Sequence, residues 1–206
     1  MYIAKGKEYN TIERHVNAPL FKRIFDCKTN EISTIKITAV GLYRLFLNGK
    51  ELNKSWFAPY LSNPDEIVFY DEYDVIGQLK PKNNVLCVLL GNGFVNNNDF
   101  NIWQNETATY RSAPKFDLQF KIGDETVFED FRCGERYDAN LEIENVLEST
   151  SLENFGKPLI VAPPKGEIIK NSAQPVVAAG ERSAVAIKKT ETGYIYDFGV
   201  NDTGIP

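Results

Sequence analysis

GLYRLFLNGKELNKSWFAPYLSNPDEIVFYDEYDV, residues 41–75, joins a β-hairpin, an aromatic loop and a strand. Asn48 and Gly49 tolerate the positive φ of a type I′ turn, so the spacing predicts that the segment from Leu42 to Leu47 pairs back on the residues after Lys50. Upstream, Ile35, Ile37 and Ala39 alternate with Lys36 and Thr38, the period-two pattern of a half-buried strand. Downstream, VLCVLLG is short and continuously apolar, which suits a strand covered on both faces.

The clearest alternation is KFDLQFKI. Phe116, Leu118, Phe120 and Ile122 share one face, and Lys115, Asp117, Gln119 and Lys121 the other. Gly123 and Asp124 supply a turn into ETVFEDF, predicting a second hairpin. Between Tyr73 and Asn84, YDVIGQLKPKNN has room for one short helical turn ended by Pro81. LIVAPP, EIIK, PVVAA, SAVAIKK and GYIYDFG read as brief strands punctuated by Pro and Gly, and there is no amphipathic helix of ten or more residues. Many short strands at this spacing imply an all-β, jelly-roll-like antiparallel β-sandwich.

The chain has 206 residues, 43% of them hydrophobic and 25% charged, the balance of an ordinary globular protein. Its net charge of −5 and the lack of a basic cluster oppose binding to nucleic acid, which needs Lys and Arg against phosphates. No stretch has the apolar length of a secretory signal or a membrane span, so the expectation is a cytoplasmic chain without a membrane partner. Cys27, Cys87 and Cys133 are odd in number and lack CxxC spacing, against a disulfide framework or a cysteine-ligated zinc.

His15 is the sole histidine, so a histidine-ligated metal cluster is excluded, and its polar surroundings read as solvated surface. Asp71, Glu72 and Asp74, like Glu142 and Glu144, read as the wet faces of strands rather than catalytic pairs. Gly91, Asn92 and Gly93 lack the lysine and helix of a phosphate loop and read as a tight turn closing a buried strand. Trp56, Phe57, Tyr60, Phe94, Phe100, Trp103 and Tyr110 fall outside the clean alternation. In NGFVNNNDFNIWQNE, aromatic rings stand among amides and a carboxylate, the mixture that stacks on a sugar ring and bonds its hydroxyls. The candidate carbohydrate-binding residues are Asn92, Phe94, Asn98, Asp99, Phe100 and Trp103; the competing reading is a polar loop whose aromatics plug the sandwich end.

Together GLYRLFLNGK, the FAPYLSNP loop, FYDEYDV and LLGNGF resemble, in order and spacing, the N-terminal domain of bacterial α-L-rhamnosidases of glycoside hydrolase family 78. PLFKRIF, GERYDANLE, the Pro163–Pro164 pair and YIYDFG extend the resemblance over most of the chain. Tyr60 and Leu61 stand where the family loop has Gly and Trp, and Phe94 where it has Trp. The resemblance implies a galactose-binding-like accessory sandwich without catalytic residues, since the family's acid-rich motif, similar to DCPQRDERLGW, does not occur here. It implies a lead segment at 1–18, the sandwich at 19–162, and a linker with the first strands of a following sandwich at 163–206, the whole a truncated piece of a longer parent.

The implied parent is an inverting hydrolase releasing terminal α-L-rhamnose, with a catalytic (α/α) toroid as the domain's partner and a rhamnose-containing glycan as ligand. No cofactor is required by the resemblance. Some accessory domains of this type hold rhamnose through calcium, for which Asp99 and Asn98 offer oxygen ligands. The alternative function is a purely structural or protein-interaction sandwich with no sugar affinity.

Overall fold

The computed structural model describes residues 1–11, 13–27, 33–97, 107–123, 125–127, 131–134 and 143–201. Strands are numbered along the chain. One sheet contains β1 (Ile3–Ala4), β3 (Ser33–Val40), β6 (Ile67–Asp74), β8 (Lys115–Ile122), β9 (Glu125–Val127), β12 (Leu159–Ile160) and β13 (Glu167–Lys170). Its order is β12-β1-β8-β3-β6-β13, with β9 also on β8. The other sheet contains β2 (Leu20–Phe25), β4 (Leu42–Leu47), β5 (Lys50–Glu51), β7 (Asn84–Gly91), β10 (Arg132–Gly134) and β11 (Phe155–Gly156), in the order β11-β10-β2-β7-β4-β5. The chain passes repeatedly from one sheet to the other, and the pairings are antiparallel except β13 on β6. This is the all-β sandwich expected from the alternation.

The predicted hairpin forms. Leu47 pairs with Lys50 across Asn48 (φ 53°) and Gly49 (φ 83°), both positive as a type I′ turn requires. Asn48 also has a tertiary role, because its Oδ1 accepts from Val85 N at 3.0 Å and its Nδ2 donates to Asn84 Oδ1 at 3.1 Å. Strand β8 buries Phe116, Leu118 and Phe120 as the period-two pattern requires, and β9 returns on it.

The core lies between the sheets: Phe21 and Phe25 from β2, Ile35 and Ile37 from β3, Leu45 and Leu47 from β4, and Phe116 and Phe120 from β8. Edge-to-face rings, Phe21 on Phe116 at 4.9 Å and Phe25 on Phe120 at 5.3 Å, tie the two sheets together. Strand β7 is covered on both faces: Leu86, Val88 and Leu90 enter this core, while Val85 and Cys87 enter a second cluster with Leu20, Phe46 and Leu147. Leu147 belongs to α1 (Ile143–Glu148), a short helix over the outer face of that sheet. Lys22, on the same face as Leu20, is 1% exposed. Its ammonium donates to the carbonyls of Ser149 (3.1 Å) and Ser151 (3.3 Å), beyond the helix, and sits over the Phe155 ring. Burial nevertheless lowers its pKa.

Three local expectations change. Residues 76–77 form a turn closed by Gln78 N on Val75 O (3.0 Å), not a helical turn, because Gly77 adopts φ 73°. PVVAA forms no strand. The EIIK strand pairs in parallel with β6, Glu167 opposite Ile67 through Lys170 opposite Tyr70, and so belongs to the first sandwich.

The domain limits shift accordingly. Residues 1–175 form one compact unit, which includes the expected lead segment because Ile3 pairs with both Phe116 and Ile160. The second unit, Val176–Pro206, contains an antiparallel hairpin of β14 (Ala186–Lys189) and β15 (Tyr194–Asp197). Among the described residues no helix is long and apolar enough to cross a membrane.

Candidate functional site

The loop singled out by its aromatics and amides leaves the sandwich at the end of β7. Gly91 ends the strand, and Gly93 at φ 55° opens a single 3-10 turn, Phe94–Asn96. A Cβ on Gly93 would lie 3.3 Å from Leu42 Cγ, and one on Gly41 2.7 Å from Gly91 O. The close approach that these glycines permit is therefore made by the ends of β4 and β7, as a tight strand-end turn requires.

Asn92 and Phe94 are described; Asn98, Asp99, Phe100 and Trp103 lie outside the described residues, and with them the calcium expectation on Asp99 and Asn98. Phe94 is 44% exposed at the loop's start. Asn92 Oδ1 accepts from Asn96 Nδ2 at 2.8 Å. Asn96 is fully buried: its Oδ1 accepts from Asn10 N (2.5 Å) and its carbonyl from Asn10 Nδ2 (2.6 Å). Arg111 closes the loop's other side, donating to the carbonyls of Asn97 (2.7 Å) and Asn10. Val95, Tyr2, Val40 and Val68 form an apolar plug beneath, with Tyr110 against it. Sequence reasoning did not find Asn10, Asn96 or Arg111. They are polar residues of loops, and only tertiary contact brings them together.

A second cluster stands at the sandwich edge formed by β5, β6 and β13. Alternation puts Phe69, Asp71 and Tyr73 on one face of β6. Tyr43 of β4, 2% exposed, reaches across: its hydroxyl lies 2.6 Å from Asp71 Oδ2 and 2.7 Å from the Tyr73 hydroxyl. Asn171, just past β13, donates from Nδ2 to Asp71 Oδ1 at 2.8 Å. Tyr43 has one proton and the carboxylate can only accept, so Tyr43 donates to Asp71 and Tyr73 donates to Tyr43. The Tyr73 oxygen is left as an acceptor. Burial, with the neighbouring Tyr73 and Asp71, raises the Tyr43 pKa far above that of a free phenol and keeps it protonated; burial does the same to Tyr73. Asp71, read from sequence as part of a wet strand face, is half-buried and bonded through both oxygens.

A cavity of about 480 Å³ opens at the opposite edge, lined by Lys5, Cys133, Asn154, Phe155, Gly156 and Lys157. Burial pushes the Cys133 thiol up to about 12, so it is protonated and unreactive near neutral pH. Among the described residues no group of three or more His, Cys, Asp or Glu is arranged to hold a metal. His15 is exposed, as its surroundings predicted.

Comparison with known proteins places these sites on a recognised scaffold. Residues 28–129 match the family described as Alpha-L-rhamnosidase N-terminal domain. An alpha-L-rhamnosidase of Formosa agariphila is 29% identical over 199 residues, covering 82% of this chain and 20% of that protein. The chain thus spans about a fifth of the length of the curated relative it matches. The solved alpha-L-rhamnosidase of Dictyoglumus thermophilum aligns at TM-score 0.75 and 23% identity over 97% of this chain and 25% of that one. That of Streptomyces avermitilis, solved with L-rhamnose, aligns at 0.72 and 20% over 89% of this chain and 20% of that one.

Proposed function

We propose, from the premise that residues 28–129 of this chain belong to the alpha-L-rhamnosidase N-terminal domain family, that it is a non-catalytic accessory domain which holds a rhamnose-containing glycan for an α-L-rhamnosidase. The observation that carries this reading is the family match, on a chain that corresponds to a fifth to a quarter of the rhamnosidases it resembles. In such a parent the hydrolysis of terminal α-L-rhamnosides falls to a separate catalytic domain, the partner of this one.

The glycan site in this reading is the loop of Asn92, Phe94, Asn98, Asp99, Phe100 and Trp103. Its described root supports the assignment. Asn10, Asn96 and Arg111 fix the loop's departure through buried hydrogen bonds, and Phe94 presents an exposed ring beside Asn92. A ring stacked on aromatics, with its hydroxyls on amide and carboxylate groups, is the interaction on offer. Calcium belongs to this reading as an ion that Asp99 and Asn98 oxygens would hold.

The test is titration of L-rhamnose into isotopically labelled protein, with and without calcium. Amide signals of the 92–103 loop should move first, with a dissociation constant of roughly millimolar, about −4 kcal/mol. Aryl α-L-rhamnoside incubated with the same protein should release no product. Absence of any shift at saturating sugar would leave the structural sandwich as the better account, and turnover abolished by replacing an acid of this chain would refute the accessory role.

A further inference from the structure

Trp56, Phe57 and Tyr60 are 55%, 53% and 50% exposed, three large aromatic side chains within five residues of one loop. Exposing such rings forfeits burial, and three of them concentrated in one short loop mark a surface with an occupant. The loop is fixed at both ends. Tyr43 N bonds Ala58 O at 2.7 Å and Ala58 is buried; Asn53 Oδ1 accepts from Leu45 N at 2.6 Å; beyond the aromatics, Pro64 O accepts from Gly166 N at 2.9 Å. The Tyr60 ring stands edge-on to Phe69 at 5.9 Å, which joins the aromatic loop to the β6 row of Phe69, Asp71 and Tyr73.

We propose that this edge is a second sugar site, in which a neutral polyhydroxylated ring stacks on Trp56, Phe57 or Tyr60 and donates hydroxyl protons to the Tyr73 oxygen and the Asp71 carboxylate. The proton order along Tyr73, Tyr43 and Asp71 sets the polarity of the site: it offers acceptors, and sugar hydroxyls are donors. Glu51, its charge paired with Arg44 at 2.8 Å, lies within electrostatic reach of Tyr73. The same groups disfavour an apolar protein occupant, since the dry centre of a protein interface excludes charge and covering this edge would take the Asp71 carboxylate further out of water. A sugar brings its own donors and leaves water at the rim.

The proposal rests on the carbohydrate reading of the chain but not on the 92–103 loop, and the two sites can be read apart because the protein has two tryptophans, Trp56 and Trp103. Methyl α-L-rhamnoside is titrated into the full chain while tryptophan emission is followed, in wild type, Trp56→Phe and Trp103→Phe, each first shown to melt cooperatively. The expected result is a saturable change in Trp103→Phe, where Trp56 is the only reporter. Adding Tyr73→Phe to that variant should weaken binding about two- to tenfold, the value of one hydrogen bond. A response in wild type and Trp56→Phe that is absent from Trp103→Phe would leave the loop reading standing and overturn the edge site. No response in any variant would overturn both, and a response in Trp103→Phe indifferent to Tyr73→Phe would remove the acceptor role that defines this site.

Discussion

Replacing Gly49 with alanine separates two physical effects at the hairpin that begins the family-matched region's most legible stretch. At φ 83° a side chain is strained whatever the space around it, at a cost of about 1 kcal/mol or more. The space is also taken, since a Cβ would lie 2.5 Å from Glu148 Cγ and 2.8 Å from its Cδ. Glu148 is exposed, so it can rotate away, for roughly another 0.5–1.5 kcal/mol if it leaves a preferred rotamer. The expected total is about 2 kcal/mol, a fall in melting temperature of roughly 4–8 °C for a domain of this size. In a Glu148→Ala background the same substitution should cost only the strain, about 1 kcal/mol, because the overlap is gone. Urea unfolding of the four proteins of this cycle measures both terms. A Gly49→Ala protein as stable as wild type would refute the positive-φ turn, and an equal cost in both backgrounds would refute the contact with α1.

Tyr43→Phe should destabilise the chain by about 1–3 kcal/mol, because it leaves Asp71 Oδ2 and the Tyr73 hydroxyl without their shared partner; denaturant midpoints test this. Stability should also fall in alkali. Burial raises the Cys87 thiol from 9.0 to about 12 and raises Tyr43 and Tyr73, so the folded protein holds these protons more tightly than the unfolded chain. Their stabilisation is complete below pH 9 and is lost as pH climbs towards 12, and melting temperature against pH should slope downwards in that window, less steeply in Tyr43→Phe. A flat profile would contradict the burial of these groups.

What could be read from the chain by itself depends on the range of the interactions. The Asn48–Gly49 turn, the alternation of Phe116, Leu118 and Phe120, and the two-faced apolar run from Val85 to Leu90 are local patterns, and each is realised in the sandwich. Backbone dihedral limits and strand pleating act over one to a few residues, so their signal survives in sequence. The aromatic loops were also legible as places where rings stand outside any strand pattern. Sequence did not disclose that Ile3 inserts between β8 and β12, that EIIK joins β6 in parallel, or that Lys22 is buried under the carbonyls following a six-residue helix. It also left Asp71 looking like a solvated acid. Asn10 meets Asn96 across 86 positions, and Asn171 meets Asp71 across 100. A polar side chain carries no mark of a partner so distant, and only the folded chain decides which donors and acceptors satisfy one another.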